Sequence, residues 1–398
     1  MGTALPLDGV KVVDFSQFLA GPYCTMQLAD LGADVIKVER PGGGDDARDM
    51  GPRVAGESYS FQAPNRNKRS IAIDLRGDAG RGLARELIAG ADVVVESFRP
   101  GVADRLGIGY AAVGPASPDL VYCSISGFGQ TGPISRRPGF DIIAQGMGGF
   151  MRMTGEPGGA PVKVGVAITD LAAGLNASIA ILAAYVHRLR GGSGQYIDIS
   201  LLDAGIGLTV WESAAYFGGG EDATATGSRH RKIAPYQAFP TSDGYVTVGA
   251  NNQKLWEVFC TQVLERPDLP QRTEYATVTD RITRVDQLEA ELSAVLREHP
   301  TEHWAARLDS AGVPGGPVLT YAEAMQQEQV LRRGMVAQVP HPTIGDVRVL
   351  GPVAKMSRTT PTVRSAAPLL GADTDAVLAE IGYSNADISA FRDAGTVA

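Results

Sequence analysis

The sequence predicts an α/β protein: a large Rossmann-like domain built on a doubly wound parallel sheet, joined to a smaller α+β domain. Three observations predict it. Short runs rich in Val and Ile alternate with helix-like runs through the first 130 residues, and that alternation calls for parallel strands with crossover helices. Apolar periodicity then lapses in GGGEDATATGSRHRK at residues 218–232, as a linker requires. A chain of 398 residues also exceeds one core at roughly 150 residues per domain.

Along the chain, strands are expected at residues 10–15, 34–39, 70–75, 92–96 and 120–126, each a short β-branched run. Helices fall between them at 24–31 and 81–88, the latter with Leu83, Leu87 and Ile88 on one face. A strand at 162–168, a buried helix after Asp170 and a strand at 195–199 complete residues 1–217, the first part of the large domain. Residues 218–235 read as the linker. The small domain, 236–325, opens on YQAFPTSDGYVTVGA, a hairpin turning at Asp243-Gly244, with helices at 254–263 and 285–298. Residues 326–398 carry strand character at 336–340 and 347–350 and a helix at 372–381, and are expected to return to the large domain.

Composition narrows the function. Lys+Arg 36 against Asp+Glu 44 gives a net charge of −8, a field that repels nucleic acid and acidic membrane surfaces, so no nucleic acid and no membrane are expected as partners. An anionic ligand therefore needs a local basic patch. Cys24, Cys123 and Cys260 are odd in number and far apart, which points to a reducing, cytoplasmic setting rather than a disulfide framework. MGTALPLDGV shows neither a charged leader nor an apolar targeting core. The most apolar stretch, 16 residues at 171–186 with Asn176 and Ser178 inside it, falls short of the roughly 20 residues a spanning helix needs.

The motif Gly127-Phe-Gly129-Gln-Thr-Gly132 matches GxGxxG after a strand, but the following Pro133 and Pro138 cannot open a helix toward a pyrophosphate. No metal site is expected: His299 and His303 have i, i+4 spacing, yet Pro300 interrupts the helix that would align them. Basic residues near strand ends carry more information. Arg40 and Arg76 close the second and third strands and Arg105 follows the fourth, and in a doubly wound sheet ligands bind outside the carboxyl ends of strands. Asp170 stands between the expected strand at 162–168 and the long helix, where a helix dipole favours an ionised carboxylate; capping that helix is its alternative use. Asp141, in the basic turn Arg136-Arg-Pro-Gly-Phe-Asp141, either pairs with Arg137 or lines a pocket.

The chain resembles the class III coenzyme A transferases, a family that includes formyl-CoA and carnitine-CoA transferases and α-methylacyl-CoA racemases. The resemblance rests on ordered blocks: LDGVKVVDFSQFLAGPYCTMQLADLGADVIKVERP from Leu7, NRNKRSIAIDL from Asn65, DVVVESFRPGVADRLGIGY from Asp92, VGVAITDLAAG from Val164 and SGQYIDISLLDA from Ser193. It continues through DGYVTVGANNQKLWEVFC, AGVPGGPVLTYAEA and APLLGADTDAVLAEIGY. The resemblance implies that Asp170 is the nucleophile that takes the acyl group and then CoA, without metal or histidine base. It implies that the segment holding Gln17 and Ala20 approaches the thioester and supplies backbone amides to an oxyanion. It also implies that Arg40, Ile73, Leu75, Arg76, Ser97, Phe98, Arg105, Leu106 and Arg137 hold CoA, which is substrate rather than resident cofactor, with a carboxylic acid as acceptor. An interlocked homodimer is implied in the same way. Leu19 replaces a Gln of the formyl-CoA branch, which weighs against formate and oxalate. Phe140 replaces a His of the racemase branch, which removes the second base and puts racemization behind CoA transfer. A CoA-binding protein without transferase activity is the remaining alternative.

Overall fold

A six-stranded, all-parallel sheet organises the first of two units in the computed structural model, which describes residues 4–398. Its strands are β1 (Lys11–Asp14), β2 (Asp34–Glu39), β3 (Lys68–Ala72), β4 (Val93–Glu96), β5 (Val121–Ser126) and β6 (Tyr196–Ser200). They lie in the spatial order β3, β2, β1, β4, β5, β6. The strand order reverses between β1 and β4, and the crevice beyond the carboxyl ends of those two strands is where this topology places a ligand. The central strands carry valines that point to both faces because both faces are covered there: Val12, Val94, Val95 and Val121 are fully buried.

Helices Ala20–Asp30 and Ile168–Leu189 pack on one face of the sheet. Helix Asp78–Ala89 and the C-terminal residues Val377, Leu378 and Ile388 pack on the other. The first unit takes the described residues up to Gly149, Val164–Gly219 and Glu328–Ala398. The C-terminal segment is tied to β3, where the Asp373 carboxylate accepts the Ser70 N–H at 2.8 Å and Val397 bridges Ile73. It holds a two-stranded hairpin, Val336–His341 with Gly345–Leu350, and helices Thr374–Glu380 and Asn385–Asp393; the last helix was not expected from the sequence.

The second unit comprises Phe150–Lys163 and Gly220–Gln327. Strands Gly315–Pro317, Tyr245–Gly249 and Tyr236–Pro240 form an antiparallel sheet over a core of Trp256, Phe259, Leu292 and Trp304. His299 and His303 stack on each other at 4.2 Å beside Trp304. The segment Phe150–Lys163 departs from the single span expected for residues 1–217: its Gly/Pro-rich TGEPGGAP reads as an ordinary loop, and its place in the second unit rests on contacts with a distant segment, such as the Gly227 N–H donating to the Gly155 carbonyl at 2.8 Å.

Two other expectations are corrected. Residues 162–168 form no strand: the Val164 N–H donates to Gln145 Oε1 at 2.8 Å instead of entering a ladder, and Val162 and Val166 are exposed. The helix begins at Ile168 and runs 22 residues. By length and composition it could cross a membrane, yet Ala173, Ala177, Ile181 and Ala184 belong to the sheet's core. It is buried on that face alone, for Ile179 is 66% and Leu189 68% exposed.

Candidate active site

β1 ends at Asp14, and the next five residues turn into the Ala20–Asp30 helix at the reversal of strand order. The Gln17 N–H donates to Ser97 Oγ at 2.9 Å, stitching this turn to the residue after β4. The Phe18 N–H donates to Asp45 Oδ1 at 3.1 Å. These two amides are therefore committed, which narrows the expected oxyanion segment. Among the described residues the Leu19 and Ala20 N–H groups take no partner. Leu19 is the helix N-cap and makes no side-chain cap, so both amides stand open at a helix start. The Ala20 side chain is buried at 7% exposure, leaving its backbone as the group it can present.

Asp170 is the third residue of the Ile168–Leu189 helix and not its cap, which is Ala167. Gly174, one turn on, lets this helix approach the first: a Cβ there would lie 2.7 Å from the Ala20 carbonyl oxygen. The Ser178 hydroxyl donates to the Cys24 carbonyl at 3.3 Å farther along the same contact. The Asp170 carboxyl is partly buried and accepts no hydrogen bond among the described residues. Burial, and then repulsion from Asp141, push its pKa up to about 7. This reverses the expected sense, since desolvation outweighs the partial charge of the helix end.

Asp141 makes no ion pair with Arg137. One carboxylate oxygen accepts the Thr169 N–H at 2.9 Å and the Thr169 hydroxyl at 2.8 Å, and the other accepts Gln145 Nε2 at 2.7 Å. Asp141 thus fixes the residue immediately before Asp170 while raising its proton affinity. Neither Thr169 nor Gln145 was legible as a site residue, because their roles depend on contacts between distant segments.

A cavity of about 330 Å³ opens beside the β1 turn, lined by Gln17, Phe18, Ser97, Phe98, Arg99, Arg137 and Phe140. Arg99 also borders a second cavity, of about 410 Å³, with Arg136, Tyr110, Tyr196 and Glu96. Burial pushes Glu96 up to about 7, despite the Ser124 hydroxyl and the Phe98 N–H. Arg99, Arg105 and Arg136 make no ion pair with a carboxylate among the described residues, and Arg137 lies 5.9 Å from the Phe128 ring centre. Arg40 is paired with Asp46, and Arg76 with Asp74 at 2.9 Å, so both guanidinium groups expected to bind an anion already have an acid partner. Ile73 is 1% exposed in the core and its N–H donates to the Glu39 carbonyl; its side chain offers no ligand surface. Leu75 and Leu106 are partly buried against the same core.

Residues 7–374 match the model of CoA-transferase family III. The chain belongs to that family. The transferase is 42% identical, over 94% of its length and 86% of the relative's, to succinyl-CoA:glutarate CoA-transferase of Mus musculus. It is 39% identical to succinyl-CoA:mesaconate CoA-transferase of Haloarcula marismortui, over 94% and 96% of the two chains. A CAIB/BAIF family protein from Brucella suis has the same fold, with a TM-score of 0.86 and 39% identity over 95% of this chain and 100% of that one. These relatives make the protein a class III CoA transferase, acting on CoA thioesters and carboxylic acids.

Proposed function

We propose that this transferase moves CoA between dicarboxylic acids, succinyl-CoA being the first donor to test, and that Asp170 carries the group covalently. The observation behind the mechanism is a carboxyl without hydrogen-bond partners, packed through Gly174 against the helix whose Leu19 and Ala20 amides are open. Ionised Asp170 attacks the thioester carbonyl, and the open amides receive the developing oxyanion. The C–S bond breaks, CoA leaves as thiolate and a mixed anhydride remains. The thiolate attacks the aspartyl carbonyl and expels the donor acid as carboxylate. The acceptor carboxylate attacks the resulting aspartyl-CoA thioester and releases thiolate, which then attacks the acceptor's carbonyl and frees Asp170. Every step exchanges one anion for another, so no proton need move.

The choice of dicarboxylates rests on the succinyl-CoA:glutarate and succinyl-CoA:mesaconate transferases to which the chain is similar; within that class Leu19, which removes the amide of the formyl-CoA branch, weighs against oxalate. Phe140, where racemases place His, supports transfer over racemization. We further propose that the transferase works as a homodimer. The helix Val210–Gly219 supports this, since it buries none of its residues and exposes Trp211 and Phe217 by 75% and 84%. The test is chromatographic: succinyl-CoA with glutarate should yield glutaryl-CoA, and Asp170→Ala should abolish it. Full transfer by Asp170→Ala would refute the mechanism, and failure across a panel of dicarboxylates would refute the substrate class.

A further inference from the structure

The turn that presents the open amides is held by a buried ion pair that the reaction itself does not use. Phe18 lies at φ 63, a left-handed conformation that a bulky L-residue adopts only where its surroundings impose it. Its N–H is taken by Asp45 Oδ1, which also accepts the Ala47 N–H at 2.9 Å. The other Asp45 oxygen faces Lys37 Nζ at 2.9 Å, and both side chains are fully buried. Lys37 in turn donates to the Ser16 carbonyl at 2.7 Å. One ion pair therefore grips the turn on both sides of Gln17. Gly21 leaves room for this, since a Cβ there would lie 2.2 Å from the Ser16 Cβ.

The restraint has two consequences at the site. Leu19 and Ala20 follow directly, so the backbone direction at Phe18 sets where their N–H groups point. The Phe18 ring is turned outward, edge-on to Phe140 with centroids 6.3 Å apart, and both rings line the cavity that Arg99 and Arg137 border. Phe140 in turn precedes Asp141, which holds the start of the Asp170 helix.

We propose that Asp45, braced by Lys37, is a positioning residue for CoA transfer: it holds Phe18 left-handed, and so aims the Leu19 and Ala20 amides and seats the Phe18 ring as a wall of the acyl-CoA cavity. This rests on the reading that those amides serve the thioester attacked by Asp170. Glycine accepts positive φ freely and valine resists it most, so the order of variants at an exposed position reports the restraint. Phe18→Val should lose more kcat than Phe18→Gly although it keeps more apolar bulk. Asp45→Asn keeps an acceptor for the Phe18 amide but releases Lys37; it should lower kcat by about tenfold or more, toward the range of a lost oxyanion donor. In the Phe18→Gly background the same change should cost less than about threefold, because a glycine needs little restraint.

The proposal is overturned if Phe18→Val matches or exceeds Phe18→Gly in kcat, or if Asp45→Asn costs the same in both backgrounds. If Asp45→Asn does not fold, Asp45→Glu replaces it: a carboxylate set one methylene farther out should lower kcat in the wild-type background and by less than about threefold in Phe18→Gly, and an equal cost in both backgrounds overturns the proposal. Asp170→Ala separates the two readings. An active Asp170→Ala would sink the underlying mechanism, whereas an inactive one with the Phe18 order reversed would sink the positioning role alone.

Discussion

Replacing Asp170 by Asn should abolish transfer and make the protein more stable, with a gain that depends on pH. The side chain accepts no hydrogen bond among the described residues, so the substitution removes only a charge held in a poorly solvated place. A carboxyl raised from 3.8 to about 7 disfavours the folded state once it ionises. Each tenfold gain in proton affinity is worth about 1.4 kcal/mol, which sets a ceiling of about 4 kcal/mol. The carboxyl is only partly buried, so a gain of about 1–2 kcal/mol is expected in practice. The sign follows from linkage. Below the unfolded value of 3.8 both states hold the proton and Asp170 costs nothing; the cost grows as pH rises toward about 7 and is complete above that. Urea unfolding of wild type and Asp170→Asn at pH 5 and pH 8 measures it. The variant should gain stability at both, with the larger gain at pH 8. A gain that shrinks toward pH 8, or a loss there, would refute the account of why this carboxyl is raised.

Asp141→Asn retains an oxygen for the Thr169 N–H and hydroxyl but removes the negative charge beside Asp170, so the kcat–pH profile, expected to rise through about 7, should move to lower pH. An unmoved or rising midpoint would contradict the repulsion. Gly174→Ala places a methyl 2.7 Å from the Ala20 carbonyl and must push the two helices apart; kcat should fall on the order of 100-fold, measured by the same chromatographic assay, while circular dichroism stays native. Arg99→Gln and Arg137→Gln should each raise the KM for acyl-CoA by about tenfold or more, the cost of one charge-assisted hydrogen bond, with a weaker salt dependence than wild type.

The strands of the large unit were legible because a parallel sheet covered on both faces leaves a simple signature. Val93–Glu96 and Val121–Ser126 are short runs buried at every residue, which pack on two layers at once. The same signature misled at 162–168, where valines alternate but the Gln145 side chain, not a neighbouring strand, satisfies the backbone. Residue type and helix position left Asp170 open between a catalytic carboxylate and a capping acid, and the family blocks supplied its expected role. Its raised pKa was not legible, because it depends on burial and on an acid 29 positions away in the chain. The Phe18 restraint carried no signal at all: a phenylalanine at positive φ looks like any other, and the pairing of Lys37 with Asp45 appears only when β2 and the loop after it are folded beside β1. Arg40 and Arg76 stood out by position along the strands, but whether an arginine already has an acid partner is a property of the fold.

If Asp170 carries the group covalently, the intermediate can be captured. The transferase is mixed with succinyl-CoA without an acceptor acid, quenched with borohydride or hydroxylamine, digested and mapped by mass spectrometry. The modified peptide should carry its label on Asp170, and Asp170→Asn should carry none. A label on another residue, or none on Asp170 in an enzyme shown to be turning over, would contradict that role.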